Sequence, residues 1–137
     1  MSQMYLEKAK QLIESAEKEA SEIGVQMVIS VVDDGGNLIA VHRMDDAWLA
    51  SVDIAFHKAW TAVALKTPTS ELEKATLPNA ELWGLQSTNQ GKIVVFGGGF
   101  PLEQDGKIVG GIGVSGGAVP QDVQVAQAAV NTFQAGK

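Results

Sequence analysis

The chain has 137 residues, a formal net charge of −6, 45% hydrophobic and 19% charged residues, and no cysteine. That length supports one well-cored domain over residues 1–137 and leaves no room for two. The acidic balance argues against nucleic acid and anionic membrane as partners, since both need clustered Lys and Arg. The missing cysteines remove disulfides, thiolate nucleophiles and Cys-based metal sites.

The first predicted element is an amphipathic helix from about Ser2 to Ile23. Tyr5, Leu6, Ala9, Leu12, Ile13, Ala16, Ala20 and Ile23 recur at three- and four-residue spacing, and Gly24 stops it. This N-terminus has neither a basic n-region nor an apolar h-region, and no apolar run reaches membrane-spanning length. A soluble cytoplasmic protein is the expectation. Val25 to Asp33 is β-branched and apolar, Asp34-Gly35-Gly36-Asn37 has turn chemistry, and Leu38 to Arg43 reads as a second strand. Aliphatic residues fall on both faces of this hairpin, Val28 and Val32 against Ile29 and Val31, so helices or another subunit are expected to cover both. Asp33 and Asp34 look like paired carboxylates, but adjacent strand residues point oppositely and both precede Gly-Gly, which favours a turn role. Arg43 and Asp45 suit a salt bridge that clamps the following loop; the alternative for Arg43 is a substrate carboxylate.

Ala50 to Lys66 contains no Gly or Pro and is apolar almost all round, the pattern of a buried helix. Its few polar residues are informative: His57 and Thr61 stand four apart, with Lys58 one step round. His57 is a ligand for haem iron, a general base, or a buried imidazole bonded to a carbonyl or carboxylate. Lys58 and Thr61 anchor a carboxylate or propionate, or serve packing and a backbone bond within the helix. Thr76 to Lys92 is a long irregular segment in which Trp83 either stacks on a planar ligand or packs in a core or interface. A third strand is expected from Lys92 to Phe96.

Gly97 to Gly117, reading GGGFPLEQDGKIVGGIGVSGG, is the glycine-dense centre of the chain. Asp105-Gly106 predicts a two-residue type I′ turn that pairs Gln104 with Lys107 and carries Gly97 opposite Val114. The Gly97-Gly98-Gly99 and Ser115-Gly116-Gly117 bends then share one rim. Val109, Gly111 and Gly113 leave one strand face nearly flat, open to a helix, a subunit or a planar ligand. Gly111-x-Gly113-x-x-Gly116 matches the dinucleotide fingerprint, but no second parallel strand with its acidic residue follows. Gly113-x-Ser115-x-Gly117 matches the nucleophile elbow, but both histidines lie upstream. Neither match is kept. Pro120 to Ala135 forms a closing helix with Val123, Ala126, Val130 and Phe133 on one stripe. The predicted class is α+β with an antiparallel sheet of about five strands.

Five motifs in order carry a resemblance. Val32-Asp33-Asp34-Gly35-Gly36-Asn37-Leu38, Arg43-Met44-Asp45, Lys58-Ala59-x-Thr61-Ala62, Gly98-Gly99-x-Pro101 and the run Gly110 to Gly117 with Asp122 resemble the GlcG/HbpS family over nearly the whole chain. The resemblance implies a profilin-like antiparallel sheet flanked by helices, homo-oligomeric assembly and, in some members, haem. Other members are encoded beside glycolate, glycerol or diol metabolism. Unlike the haem-binding members, this chain has no His in its first helix. The candidate ligand site combines His57, Lys58, Thr61 and Arg43 with Gly98, Gly99, Gly111, Gly113, Ser115 and Gly116. A non-enzymatic oligomeric protein that binds haem or a related tetrapyrrole is the leading expectation. Its alternatives are a metal-independent enzyme for a small hydroxy or oxo compound, with His57 as acid/base, and an assembly protein. Two histidines on separate elements are too few for a metal site of the chain's own.

Overall fold

A computed structural model describes residues 3–136. Its elements are α1 (Leu6–Ile23), β1 (Val28–Asp33), β2 (Leu38–Arg43), α2 (Ala50–Leu65), β3 (Gly99–Gln104), β4 (Lys107–Ser115) and α3 (Val119–Ala135). The strands form one antiparallel sheet in the order β2-β1-β4-β3. The α+β class is as expected, with four strands rather than about five. Gly24 caps α1 in the left-handed region at φ 75°, and the Val25 N–H reaches back to the Ala20 carbonyl. Ser2, the expected start of that helix, lies outside the described residues.

Helices cover both faces of the sheet, as the two-sided aliphatic pattern of the first hairpin requires. On one face Leu12, Ile13 and Ala16 of α1 and Val125, Ala129 and Phe133 of α3 enclose Ile29, Val31, Ile112 and Val114. Val123 stands at the edge of the α3 stripe instead of within it, because the buried side centres on Val125 and Ala129. On the opposite face lies α2. No helix among the described residues is long and apolar enough to cross a membrane.

The β3–β4 turn has Asp105 at φ 53° and Gly106 at φ 78°, and Gln104 pairs with Lys107 as its I′ chemistry dictates. A bulge follows. Glu103 pairs with Ile108 but Leu102 pairs with Gly110, which leaves Val109 as the extra residue and shifts every later partner by one. Val114 N–H therefore donates to the Gly98 carbonyl at 2.9 Å, where an unbroken register places Gly97. The same slip moves Val109 off the flat face and into the core beside Ile112 and Val114.

Lys92 to Phe96 is not a strand. Thr61 of α2 takes its backbone groups instead: Val94 N–H donates to the Thr61 hydroxyl at 3.0 Å, and that hydroxyl donates to the Lys92 carbonyl at 3.3 Å. A side chain thus satisfies polar groups that a sheet edge would otherwise have to pair.

Candidate functional site

The flat glycine face is the seat of α2. A Cβ at Gly113 would lie 2.0 Å from the Ala55 carbonyl oxygen and 2.6 Å from Ala59 N, and one at Gly99 would lie 2.5 Å from the Lys58 carbonyl. Gly111 meets the Ala59 carbonyl in the same way. The helix answers with its small residues, burying Ser51, Ala55, Ala59 and Ala62. Ser115, fully inside, bonds the Ser51 hydroxyl at 3.1 Å. Gly111, Gly113 and Ser115 thus hold a helix and line no open surface.

Lys58 follows the small residues inward. Its side chain is 0% exposed, and its ammonium donates to the Val114 carbonyl at 2.8 Å and to an Asp122 carboxylate oxygen at 2.9 Å. The other Asp122 oxygen accepts the Gly117 N–H at 2.9 Å, so one carboxylate joins α2, the end of β4 and the start of α3. Burial pushes Lys58 below the ordinary lysine value and Asp122 above the ordinary carboxylate value, and each is drawn part of the way back by the other. The rim bends are tied down around this pair. Gly97 N–H donates to Glu73, Gly99 N–H to Thr69, and Gly98 sits against Lys58 and Asp122. Asp122 entered the sequence reading only as part of a motif; its role depends on a partner 64 residues away.

His57 turns the other way. Leu49, Val52, Phe56, Trp60 and Val63 form a stripe along the flank of α2: Leu49 is 75% exposed, Phe56 and Trp60 are half-buried, Val52 packs on the core beside Ala47 and Ala55, and Val63 leans toward Gly111. His57 sits in that stripe, 19% exposed, with Nδ1 3.1 Å from the Asp53 carboxylate one turn back and its ring 4.9 Å from that of Phe56. It lines a shallow cleft of about 280 Å³ with Gly36, Leu38, Phe56, Trp60 and Lys92. The spacing of Asp53, His57 and Trp60 on one helix was visible in the sequence; Lys92, from the irregular segment, was not. Thr61 shares no surface with His57 and is buried beneath Lys92 and Val94.

Arg43 lies at a separate place. Its Nε and Nη2 both donate to the Ala47 carbonyl, at 2.9 and 2.7 Å, so it clamps the loop as expected but through a backbone oxygen instead of Asp45. Beside it a second cleft is lined by polar residues around His42, whose Nδ1 lies 2.8 Å from Glu17. Asp33 accepts from Gly35 N–H and Asn37 N–H in the turn role assigned to it. The structure therefore divides the predicted residues: His57 faces the α2 cleft, Arg43 another, and Lys58, Thr61, Gly111, Gly113 and Ser115 are internal.

Comparison with known proteins agrees with this architecture. The crystal structure of Klebsiella pneumoniae protein ORFY superposes with a TM-score of 0.95 at 46% identity, covering 96% of this chain and 91% of that one. A crystallised PduOC:haem complex gives a TM-score of 0.91 at 45% identity, covering 94% of each chain. Corrinoid adenosyltransferase PduO of Salmonella typhimurium is 47% identical over 126 residues, which are 92% of this chain but only 38% of that enzyme. The chain thus spans little more than a third of that relative. A family model described as haem degrading protein HbpS-like matches residues 4–131, and the chain belongs to this HbpS-like family.

Proposed function

We propose that this chain is a single-domain, non-enzymatic, oligomeric binding protein whose ligand is haem or a related tetrapyrrole, held on the outer face of α2 with His57 as iron ligand. The Asp53–His57 pair carries the reading. The Asp53 carboxylate stands 3.1 Å from Nδ1, within ion-pair distance, and Nε2, which has no partner among the described residues, is left as the ligating atom. Phe56 and Trp60, half-buried, line the same cleft and offer aromatic contacts to a planar ligand. Likeness to the chain of the PduOC:haem complex supports the choice of ligand. When bound, haem would supply a redox-active iron; the protein's own residues bind and orient it. His42 is the only other histidine, and it also has a carboxylate on Nδ1, but it is 49% exposed in a cleft without an aromatic lining residue. A link to glycolate, glycerol or diol metabolism in the cytoplasm belongs to the same proposal.

A haemin titration followed by visible absorbance tests it. Saturable binding with a Soret shift is expected, weakened about 100-fold by His57→Ala and about tenfold by Asp53→Asn. His42→Ala is expected to leave it unchanged. Nonsaturable uptake, or a wild-type titration reproduced by His57→Ala, would sink the assignment. Because the family description mentions haem degradation, the bound spectrum should also be followed with reductant and oxygen. A stable Soret band supports a binder, and bleaching faster than for free haemin would make it an enzyme.

Exposed apolar residues at the start of α2, outside the His57 cleft, support self-association. Trp48, 69% exposed, and Leu49, 75% exposed, are neighbours at the start of α2 and would be covered by an adjoining subunit. Sedimentation velocity is expected to show an oligomer that Trp48→Glu shifts toward monomer. A monomeric wild type would contradict the oligomeric part of the proposal.

A further inference from the structure

The candidate anchors for a ligand carboxylate in the sequence were Lys58, Thr61 and Arg43. Lys58 is consumed by Asp122, and Arg43 by the Ala47 carbonyl. Lys92 is different. Its ammonium lies 5.4 Å from the centroid of the Trp60 ring and has no carboxylate within salt-bridge distance among the described residues. An ammonium resting on an aromatic face keeps donors free for an incoming anion. The backbone that carries it is fixed, because Thr61, buried in α2, bonds the Lys92 carbonyl and the Val94 N–H.

Trp60 is equally constrained. Gly36, at φ 78° in the β1–β2 turn, lies so close to the indole that a Cβ there would come 2.6 Å from Cδ1 and 3.0 Å from Nε1. The turn glycine thus leaves the space that the ring fills. The indole lines both the His57 cleft and a second one, of about 170 Å³, that shares Gly35 and Gly36 and is completed by Asp34, Val63 and Ala64.

We infer that Trp60 and Lys92 form the specificity element of this surface, Trp60 as the stacking platform and Lys92 as the anchor for a carboxylate at the edge of a planar aromatic ligand. This rests on the ligand reading above and narrows its class to carboxylate-bearing macrocycles. An ammonium and a carboxylate attract through a charge-assisted bond that an ester cannot make, so the esterified ligand loses that contact.

The test uses protoporphyrin IX and its dimethyl ester, which lack iron and so do not depend on His57 ligation. Both are titrated into wild type, Lys92→Met and Lys92→Arg, with tryptophan quenching read in a Trp48→Phe/Trp83→Phe background so that only Trp60 reports. Wild type is expected to prefer the free acid by about tenfold. Lys92→Met should erase that preference with ester affinity unchanged, Lys92→Arg should restore it, and Trp60 should be quenched on binding. Unchanged preference in Lys92→Met, or an unquenched Trp60, would overturn the inference. Wild-type binding of acid and ester with equal affinity, alongside His57-dependent haemin binding, would overturn it alone. No saturable binding of haemin or either porphyrin would overturn the ligand reading and this inference together.

Discussion

Replacing Asp122 with Ala is expected to cost the fold about 3–5 kcal/mol, measured as a lowered midpoint in urea unfolding. The change strands the Lys58 ammonium, which is 0% exposed and keeps the Val114 carbonyl as its one hydrogen-bond acceptor, with the Phe96 ring 5.0 Å away and Glu73 acting at longer range, and it also removes the acceptor of Gly117 N–H. The loss has a distinctive pH dependence. With its carboxylate gone, Lys58 retains burial as the dominant influence, so its folded pKa lies below the unfolded one. Between those two values the unfolded chain binds more protons, and stability therefore rises with pH through that window. The variant should regain stability toward the ordinary lysine range. Burial outweighs pairing for both groups, so removing both charges is a smaller perturbation than removing one. Lys58→Met/Asp122→Asn, which retains an acceptor for Gly117, is expected to recover most of the loss. A double variant as unstable as the sum of the single changes would show that the pair is not coupled in this way.

Gly113→Ala is expected to destabilise by about 3 kcal/mol, the upper part of the range for overpacking. The added methyl would meet the Ala55 carbonyl and the Ala59 N, both backbone atoms of α2, which cannot rotate aside as a side chain does. The helix would have to lift from the sheet, and the buried contacts of Ala55, Ala59 and Lys58 would loosen with it. Gly35→Ala is the matched control: its new methyl would approach only the Asn37 and Asp33 side chains, and its loss should stay below about 1 kcal/mol. Equal losses at both positions, read from thermal unfolding, would contradict the account of why β4 is glycine-rich.

Local features were readable without the structure. The Asp105-Gly106 turn needs positive φ at both residues, the first hairpin and the helices follow their periodicities, and Asp33 caps its own turn. Each depends on neighbours within a few positions. The candidate site was less legible. His57, Lys58 and Thr61 stand within one turn or so of each other in α2, yet they point to three places: an outer cleft, a buried carboxylate and a crossing segment. A helical spacing says which residues share a face, but not which face the sheet will claim. Here the sheet took the small and polar side, because glycines on β3 and β4 let α2 approach to backbone contact, and the larger apolar residues were left on the half-buried flank.

By itself, then, the sequence determined the α+β class, the hairpins, the helices and the family. Only the tertiary structure decided the count of four strands, the Val109 bulge, the burial of Lys58 and the arrival of Lys92 over Trp60. The physical reason is distance along the chain. Thr61 outcompetes a sheet edge for Lys92 and Val94 from more than 30 residues away, at |i−j| of 31 and 33, and no local pattern records which long-range partner wins.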